Sequence, residues 1–420
     1  MVKEINVGLI GLGTIGSGVV EILKNNSKLI ENRTGVKINL VMVCDKFENR
    51  AKQFGVDKIW CSDYKALLRN KKIDVVVELI GGYEPARTII MDSIKARKHI
   101  VTANKAVLAK YGYEIFKSAQ KNKVNVLFEA SVGGCIPVIR TVEESYSSDN
   151  IESIYGILNG TTNFILTKMG EGLSYDSALK KAQELGFAEA NPSFDVEGKD
   201  AAQKIFLLAS LAFDAKFSEE AFTCGIEKIT KLDMDYAKEL GYVIKLLAIA
   251  KKENSHVELR VGPSLVPTEN LFASVNNEVN AVLFSGKQTG KIFLSGKGAG
   301  KLPTATVVVT DLIELASRTR VAQRFFEKVK LKPFSETVSK YFIRFMVADK
   351  PGVLASIAKC FGEEGVSIAV CEQKETNKEI IPLIFITHAA KQGQIDNSLK
   401  KCSTLFGVKE SFMLRIENLE

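Results

Sequence analysis

The chain has 420 residues, enough for about three domains if a typical domain runs to ~150 residues. Its composition, 46% hydrophobic and 25% charged, is that of an ordinary globular protein. No apolar run approaches the ~20 residues that cross a bilayer, and the first residues lack the apolar core of a secretory signal. We therefore expect a cytoplasmic protein without membrane contact.

The net charge of +8 comes from lysines spread along the whole chain. Because no concentrated basic patch or recognised nucleic-acid motif accompanies them, we interpret them as a solvated surface suited to anionic small molecules rather than to nucleic acid. The seven cysteines are odd in number and scattered, with no Cys-x-x-Cys pair. This pattern predicts free thiols rather than disulfides or a zinc site.

The N-terminal region alternates apolar runs with helical patterns. The predicted strands are Ile5–Ile10, Ile38–Cys44, Asp74–Ile80, His99–Thr102 and Val124–Phe128. The predicted helices are Ile15–Ile30, Thr88–Ala96 and one that ends near Gln120. Since strands that alternate with helices form parallel β-α-β units, we predict an α/β protein with a doubly wound, Rossmann-type nucleotide domain over residues 1–147.

The turn after the first predicted strand has the pattern Gly-x-Gly-x-x-Gly over residues 11–16. The pattern is weak alone, but here it follows a strand and opens a helix, which gives it physical meaning. Gly11 permits the tight turn, Gly13 lets the backbone approach a pyrophosphate, and Gly16 lets the helix pack close to the strand. Free N–H groups at the start of the helix, around Thr14 and Ile15, attract the anion. We predict that these five residues bind a nicotinamide dinucleotide.

The choice between NAD and NADP stays open at the end of the second predicted strand. Asp45 is placed to accept the adenosine ribose hydroxyls, which favours NAD. Lys46 and Arg50 lie nearby in sequence and suit a 2′-phosphate instead.

The pattern changes after about residue 147. Predicted strands are Ile151–Asn159, His256–Val261 and Lys291–Ser295, and predicted helices are Asn163–Met169, Tyr175–Leu185, Lys199–Phe213 and Thr304–Thr319. Long strands mixed with helices predict an α+β catalytic and dimerisation domain over residues 148–303, with a helix at about 304–325 returning to the first domain. The charged stretch at 326–340 is predicted to be a linker.

Three segments are dense in polar residues that a core does not favour: 101–105, 128–137 and 189–204. The second combines Glu129 with a glycine turn, which fits either a hard cation with oxygen ligands or a tight turn without an ion. In the third, Asp200 and Lys204 lie four apart on a helix that continues into an apolar run. A pair of this kind is usually a surface ion pair, but burial is costly unless the pair has a purpose, so we interpret it as functional.

Five segments together resemble the motifs of the homoserine dehydrogenase family, in the family's order and over residues 1 to about 325. They are Val-Thr-Ala-Asn-Lys at 101–105, Glu-Ala-Ser-Val-Gly-Gly at 129–134, Leu-Asn-Gly-Thr-Thr-Asn at 158–163, Asp-Val-Glu-Gly-Lys-Asp-Ala-Ala-Gln-Lys at 195–204 and Gly-Lys-Gly-Ala-Gly-Lys-Leu-Pro-Thr-Ala at 296–305. The resemblance implies the reversible, NAD(P)H-dependent reduction of L-aspartate 4-semialdehyde to L-homoserine, in threonine, methionine and isoleucine biosynthesis.

The resemblance also implies roles for individual residues. Lys204 is the catalytic acid and base, and Lys105 lies between cofactor and substrate. The substrate is held by Glu189, Asp200 and Thr161, and Gly186 and Gly300 line the cofactor. A structural sodium ion is implied at Glu129 and at the carbonyls of Val132, Gly134 and Ile136.

Three positions depart from the family pattern. Cys135 replaces a third glycine and is expected to strain its loop. Asn191 stands where Asp is usual, which puts a charge role there in doubt. Cys44 stands where many members carry a basic residue, and this favours dual or NAD-leaning cofactor use.

The C-terminal segment, 341–420, is predicted to be a self-contained module with β-α-β-β-α-β order. Its elements are predicted at Phe342–Val347, Gly352–Phe361, Ser367–Glu372, Ile381–Thr387, Ile395–Lys401 and Phe412–Ile416. The segment from Val347 to Leu354 resembles the start of an ACT domain, the amino-acid-sensing module. Such modules usually pair and bind an amino acid where they meet, so the resemblance implies a homodimer or homotetramer. Threonine, an end product of the pathway, is the implied inhibitor. The alternative is a module that serves dimerisation alone.

Two other functions compete with this interpretation. Another NAD(P)-dependent amino-acid dehydrogenase with an ACT tail would share the glycine loop but has no reason to carry the segment 189–204. A catalytically inactive sensor has no reason to keep both Lys105 and Lys204.

Overall fold

The computed structural model describes residues 2–318, 324, 326–374 and 378–419. The chain divides into two compact units. The first unit comprises Met1–Glu152, Gln203–Ser218 and Asn280–Lys328, and the second comprises Ser153–Ala202, Glu219–Val279 and Val329–Glu420. In the described part of the chain, no helix is both long and apolar enough to cross a membrane.

The N-terminal part of the first unit is built on a parallel sheet of six strands in the order β3-β2-β1-β4-β5-β6. The strands are β1 (Lys3–Ile10), β2 (Val36–Cys44), β3 (Trp60–Cys61), β4 (Val75–Glu78), β5 (His99–Thr102) and β6 (Val126–Leu127). The helices are α1 (Thr14–Asn25), α2 (Ser27–Thr34), α3 (Glu48–Gln53), α4 (Tyr64–Arg69), α5 (Ala86–Lys95), α6 (Lys105–Asn122) and α7 (Val138–Arg140). The strand order reverses between β1 and β4, so the predicted doubly wound sheet is confirmed, with its switch point beside β1.

One predicted helix is two helices. The helix predicted over Ile15–Ile30 breaks at Asn26, whose φ of −113° and ψ of 9° leave the helical region between α1 and α2. Side chains such as Asn and Ser compete with the helical hydrogen bonds, and three of them stand in a row at residues 25–27.

The middle of the chain adds seven strands and six helices to the described residues. The strands are β7 (Ile151–Ile157), β8 (Ala215–Lys216), β9 (Phe222–Thr223), β10 (Tyr242–Glu253), β11 (His256–Pro267), β12 (Val279–Gly286) and β13 (Gly290–Lys297). The helices are α8 (Gly160–Gly170), α9 (Tyr175–Glu184), α10 (Ser193–Val196), α11 (Lys199–Ala212), α12 (Lys231–Glu239) and α13 (Lys301–Ser317). In the second unit β10 pairs antiparallel with both β11 and β7.

Helix α13 packs on α1 within the first unit, where Val19, Val308 and Leu312 share one apolar core. A Cβ on Gly18 would lie 2.9 Å from the Cβ of Ala305, so only glycine allows this close approach. The helix predicted at about 304–325 therefore begins earlier, at Lys301, and ends at Ser317 in the structure. Residues 319–323 and 325 of that prediction lie outside the described residues.

The last part of the chain contains the predicted β-α-β-β-α-β order, with three extra short strands. Its strands are β14 (Glu327–Lys328), β15 (Lys330–Leu331), β16 (Val338–Ala348), β17 (Ile368–Gln373), β18 (Ile380–Thr387), β19 (Ala390–Lys391) and β20 (Val408–Ile416), and its helices are α14 (Val353–Glu363) and α15 (Gln392–Cys402). The four long strands form an antiparallel sheet in the order β20-β16-β18-β17.

The tail has a hydrophobic core of its own, formed by residues 341–402, but its sheet extends beyond the tail. Strand β20 pairs in parallel with β11 through Ser264–Arg415 and Leu265–Ile416, so one sheet continues from the preceding segment into the tail. Edge strands have unpaired backbone groups, and here the edge of the tail is closed by β11. The buried ion pair between Arg344 and Asp233, with 2.7 Å between Nε and Oδ1, also joins the tail to α12.

Candidate active site

The glycine loop joins β1 to α1 with the geometry of a phosphate cradle. Gly11 has a φ of +99°, and its N–H donates to the Cys44 carbonyl at 2.9 Å. A Cβ on Gly16 would lie 1.9 Å from the Gly11 oxygen, whereas a Cβ on Gly13 would meet no atom within 4 Å. No side chain caps the start of α1. The free space at Gly13 and the absence of a side-chain cap at the start of α1 both suit a pyrophosphate.

Asp45 lies directly beside this loop. Its Oδ2 accepts the N–H of Leu12 at 2.7 Å, and its Oδ1 accepts the N–H of Phe47 at 2.9 Å. Arg50 approaches Oδ2 with its Nη1 at 3.6 Å. The carboxylate is buried, so it ties the end of β2 to the glycine loop.

The carboxyl ends of β4 and β5 carry a buried polar cluster that sequence reasoning missed in part. Glu78, fully buried, accepts the Thr102 hydroxyl at 2.7 Å and the Ile80 N–H at 2.8 Å. Asn104 caps α6 by accepting the Val107 N–H at 3.2 Å. The first residue of α6 is Lys105, so the predicted lysine stands at the edge of the sheet where such folds bind ligands.

Glu129 is a buried carboxylate at the end of β6. It accepts the N–H of Ile139 and the N–H of Arg140, each at 2.8 Å. Burial raises its pKa to about 7, because the charged form loses its hydration. The Arg140 guanidinium, whose Nε lies 3.8 Å from Glu129 Oε2, offsets part of that penalty, and a bound cation would offset more of it.

The loop that follows Glu129 is mostly buried, and its Ile136 carbonyl accepts the Val138 N–H at 2.8 Å. Gly133 and Gly134 have φ values of +73° and +62°, and a Cβ on Gly134 would lie 2.3 Å from the backbone of Gly298. A carboxylate and several carbonyls are hard oxygen donors, so the residues present fit a cation such as sodium. Among the described residues there is no cluster of three or more His, Cys, Asp or Glu side chains that fits a metal.

The strain expected at Cys135 is absent. Cys135 is not among the described residues with a left-handed backbone, and its Sγ contacts the Lys297 carbonyl at 3.1 Å. Its exposed position gives the added side chain room.

In the second unit, Asn159 bridges two carboxylates. Its Nδ2 donates to Asp195 Oδ1 at 2.7 Å and to Asp200 Oδ2 at 2.9 Å. Its Oδ1 caps α8 by accepting the Thr162 N–H at 2.8 Å. Asp200 is only 5% exposed. Sequence reasoning assigned no role to Asn159, although its place between a buried strand and Gly160 is typical of a helix cap.

The other two predicted substrate residues, Thr161 and Glu189, lie in and after the helices that follow Asn159. Thr161, in the first turn of α8, donates its hydroxyl to the Phe187 carbonyl at 2.5 Å. Glu189 is exposed after α9. Helix α11 contains both Asp200 and Lys204, and the division between the units falls within this helix, after Ala202.

Two predicted glycines have a left-handed or otherwise positive φ, and Asn191 makes a local hydrogen bond. Gly186 has a φ of +75° after α9, and Gly300 has a φ of +125° at the start of α13. Asn191, where the family usually has Asp, accepts the Ser193 N–H at 3.2 Å, which an uncharged side chain does well.

A doubly wound parallel sheet with an open glycine loop at its switch point defines a dinucleotide-binding oxidoreductase. Comparison with known proteins identifies the family within this class. A homoserine dehydrogenase family model matches residues 137–313, and the model of that family's NAD-binding domain matches residues 11–129.

Similar proteins match most or all of the chain. A homoserine dehydrogenase of Neisseria gonorrhoeae is 40% identical over 435 residues, covering 99% of each chain. The crystal structure of a homoserine dehydrogenase from Thiobacillus denitrificans matches with a TM-score of 0.93 and 38% identity, covering 100% of this chain and 99% of that one. A hyperthermophilic archaeal homoserine dehydrogenase mutant in complex with NADPH matches 76% of this chain at a TM-score of 0.65 and 26% identity. The chain belongs to the homoserine dehydrogenase family of NAD(P)-dependent oxidoreductases.

Proposed function

We propose that this chain interconverts L-aspartate 4-semialdehyde and L-homoserine, in the biosynthesis of threonine, methionine and isoleucine. The observation that carries the proposal is the buried Asp200, bridged by Asn159 to Asp195 at the start of the helix that also bears Lys204. The negative charge of a buried carboxylate attracts cationic groups, and the substrate's ammonium group carries the opposite charge.

Lys204 acts on the oxygen of the reacting carbonyl. Its ammonium donates a proton to the developing alkoxide, and its charge stabilises the oxyanion as it forms. In the oxidative direction the neutral amine removes the proton from the homoserine hydroxyl. When bound, the nicotinamide supplies or accepts the hydride.

Other residues bind and orient the substrate and the cofactor. Asp200 and Glu189 bind the substrate ammonium, and Thr161 contacts the substrate from the first turn of α8. Lys105, at the start of α6, lies between substrate and cofactor. The cofactor, NAD or NADP, is held by the glycine loop and its neighbours: Gly11, Gly13, Thr14, Ile15, Gly16, Asp45, Gly186 and Gly300.

The reaction is tested by following the absorbance of the reduced nicotinamide with homoserine and each of NAD and NADP. Homoserine-dependent reduction of at least one cofactor is expected. If neither cofactor is reduced, the assignment fails.

We also infer a structural sodium ion held by Glu129 and the carbonyls of Val132, Gly134 and Ile136. Its support is the donor chemistry together with the raised pKa of the Glu129 carboxyl. Replacing sodium by the bulky tetramethylammonium ion should lower the melting temperature at constant ionic strength, and Glu129→Gln should remove that dependence. Equal melting temperatures of the native chain in both salts would exclude the ion.

For the C-terminal segment we infer an ACT-like role in which threonine inhibits the enzyme. The support is a cavity of about 340 Å³ lined by Asp349, Lys350, Gly352 and Gln373, among others. The uncapped start of α14 at Gly352 offers N–H groups to a carboxylate. Pairing of two copies through this segment would give a homodimer or homotetramer, which light scattering measures.

Deleting the segment is a poor test because β20 closes the edge of β11. The variant Asp349→Ala keeps the sheet and changes the cavity. It should weaken inhibition by threonine and leave the uninhibited rate unchanged. Threonine that leaves the rate of the native chain unchanged would contradict the regulatory role and favour a segment used for dimerisation.

A further inference from the structure

We propose that Glu78 is a positioning residue for the reaction, which acts through Thr102 and Asn104 to fix the place of Lys105. The proposal deepens the proposed function and rests on it, since Lys105 is there assigned a place between substrate and cofactor. It concerns a ring of hydrogen bonds at the carboxyl ends of β4 and β5, within the first unit.

The first step is the buried carboxylate of Glu78. It is 0% exposed, and Glu78 and Thr102 are register partners at the ends of β4 and β5. Oε1 accepts the N–H groups of Ile80 and Gly81 at 2.8 and 3.3 Å, and Oε2 accepts the Thr102 hydroxyl at 2.7 Å. Hydrogen bonds to a charged acceptor are stronger than neutral ones. The carboxylate therefore holds the turn after β4 and the last residue of β5 in one arrangement.

The second step is the connection from Thr102 to Asn104. The Thr102 hydroxyl donates to Glu78, and its oxygen accepts the N–H of Asn104 at 3.1 Å. The Asn104 side-chain amide donates to the Gly82 carbonyl at 2.8 Å, which closes the ring at the turn after β4. Thr102 and Asn104 are both buried, where the low dielectric strengthens hydrogen bonds.

The third step is the start of α6. Asn104 is the N-cap of this helix, because its Oδ1 accepts the Val107 N–H at 3.2 Å, and Lys105 is the first helical residue. The backbone and the side chain of Asn104 are both held by the ring. The main chain of Lys105 therefore has little freedom to move.

The turn after β4 also contacts the glycine loop. The Leu79 N–H donates to the Ile10 carbonyl at 2.9 Å, and a Cβ on Gly11 would lie 2.7 Å from the Leu79 oxygen. The ring thus fixes Lys105 relative to the loop that is proposed to hold the cofactor. Because misplacing a group by about 1 Å costs about 10²-fold in rate, a ring that does not touch the reacting atoms still affects kcat.

Initial rates with homoserine test the proposal on Thr102→Val, Glu78→Gln and the control Thr102→Ser. Valine keeps the shape of threonine without the hydroxyl, and glutamine has one oxygen, which cannot accept on both sides of the ring. Each of these two variants should lower kcat by about 10- to 100-fold. Thr102→Ser keeps the hydroxyl and should stay within about threefold of the native chain. Equal losses in Thr102→Val and Thr102→Ser would overturn the proposal.

The variant Lys105→Met shows whether the ring acts through Lys105. In a chain that already carries Lys105→Met, adding Thr102→Val should lower kcat by less than about twofold, because residues that act as one unit are not additive. A further loss of about tenfold or more would overturn the proposal, since the ring would then act on something else. A native kcat in Lys105→Met alone would overturn it as well.

Amide hydrogen exchange, followed by mass spectrometry on the chain without cofactor, gives a readout that does not depend on turnover. In Thr102→Val the first turn of α6 should exchange at least about tenfold faster than in the native chain or in Thr102→Ser, while α1 keeps its native rate. Unchanged exchange in α6, or equal acceleration in α1, would overturn the proposal. A chain that shows the expected exchange but does not oxidise homoserine would sink the proposed reaction and leave the positioning of Lys105 by Glu78 standing.

Discussion

The glycine loop of the first unit and the Asn159 cluster of the second unit are two different ways of building a site. The loop is six consecutive residues, and its work is done by backbone N–H groups and by the absence of side chains. The Asn159 cluster joins side chains that are 36 and 41 residues apart in the chain. A backbone site of this kind can be recognised from spacing alone, whereas a side-chain site exists only after folding.

This difference also determines which substitutions each site tolerates. At Gly16 the space is filled by the chain itself, since a Cβ would lie 1.9 Å from the Gly11 oxygen. The Asn159 cluster consists of polar side chains, so there the charge of a substituted residue decides whether the site still works. Substitutions at the two sites should therefore have different effects.

The largest effect is expected for Lys204→Met. Loss of the proton donor should lower kcat by about 10²- to 10⁴-fold, because no other group is assigned to the carbonyl oxygen. The control is Lys199→Met, an exposed lysine on the same helix, which should keep its activity. Initial rates with homoserine measure both, and an undiminished kcat in Lys204→Met would refute the assigned role.

The next effect concerns charge at the side-chain site. Asp200→Asn keeps an acceptor for the Asn159 amide but loses the charge that binds an ammonium group. We expect kcat/KM for homoserine to fall by about 10- to 100-fold, with the KM for the cofactor unchanged. Asp176→Asn, an exposed acid at the start of α9, serves as the control. If Asp200→Asn raised only the KM for the cofactor, Asp200 would not be a substrate-binding residue.

Two alanine variants sharpen the comparison at the backbone site. Gly16→Ala should cost about 3 kcal/mol of stability or more, because its Cβ overlaps the Gly11 carbonyl. Gly13→Ala meets no protein atom within 4 Å, so it should fold as the native chain does and lose only cofactor affinity. Thermal unfolding distinguishes the two variants. Equal melting temperatures would show that close packing at Gly16 does not limit the stability of the fold.

The smallest effect is a pH dependence at Lys245, a buried lysine on β10 whose Nζ donates to Asn276 Oδ1 at 3.0 Å. Burial lowers its pKa to about 8 from 10.5, so between these values the folded state binds fewer protons than the unfolded state. Its contribution to stability should therefore rise as the pH goes from 8 to 10.5.

Lys245→Met should remove this rise, which amounts to a few degrees of melting temperature in a chain of this size. Melting curves of both proteins at the two ends of this pH range provide the measurement. A variant that keeps the full pH dependence of the native chain would assign it to other groups.

The sequence predicts the sheet of the first unit well because its strands are short apolar runs between clear turns. It fails where the pattern is broken by residues whose partners lie far away. Strand β10 was missed although it has 12 residues, and one reason is Lys245, which interrupts the apolar run of the strand. Its acceptors come from residues 163, 275 and 276, all far away in the chain, so no local pattern predicts them.

The same limit applies to the sites. The positions of Gly11, Gly13 and Gly16 follow from local turn geometry, so spacing was sufficient to predict them. Asn159 was missed because its amide has a role only once two distant carboxylates face it. Asp45 is predicted from its place at the end of β2, but its bonds to two backbone N–H groups depend on how β2 meets the loop.

The central claim, that one site holds the cofactor by backbone and the other holds the substrate by side chains, is tested most directly by crossed kinetics on Gly13→Ala and Asn159→Ala. Initial rates are measured while homoserine and the cofactor are varied in turn. We predict that Gly13→Ala raises only the KM for the cofactor and that Asn159→Ala raises only the KM for homoserine, each by about tenfold or more. If each variant raised both constants equally, the two sites would not be separate in function and the account would be contradicted.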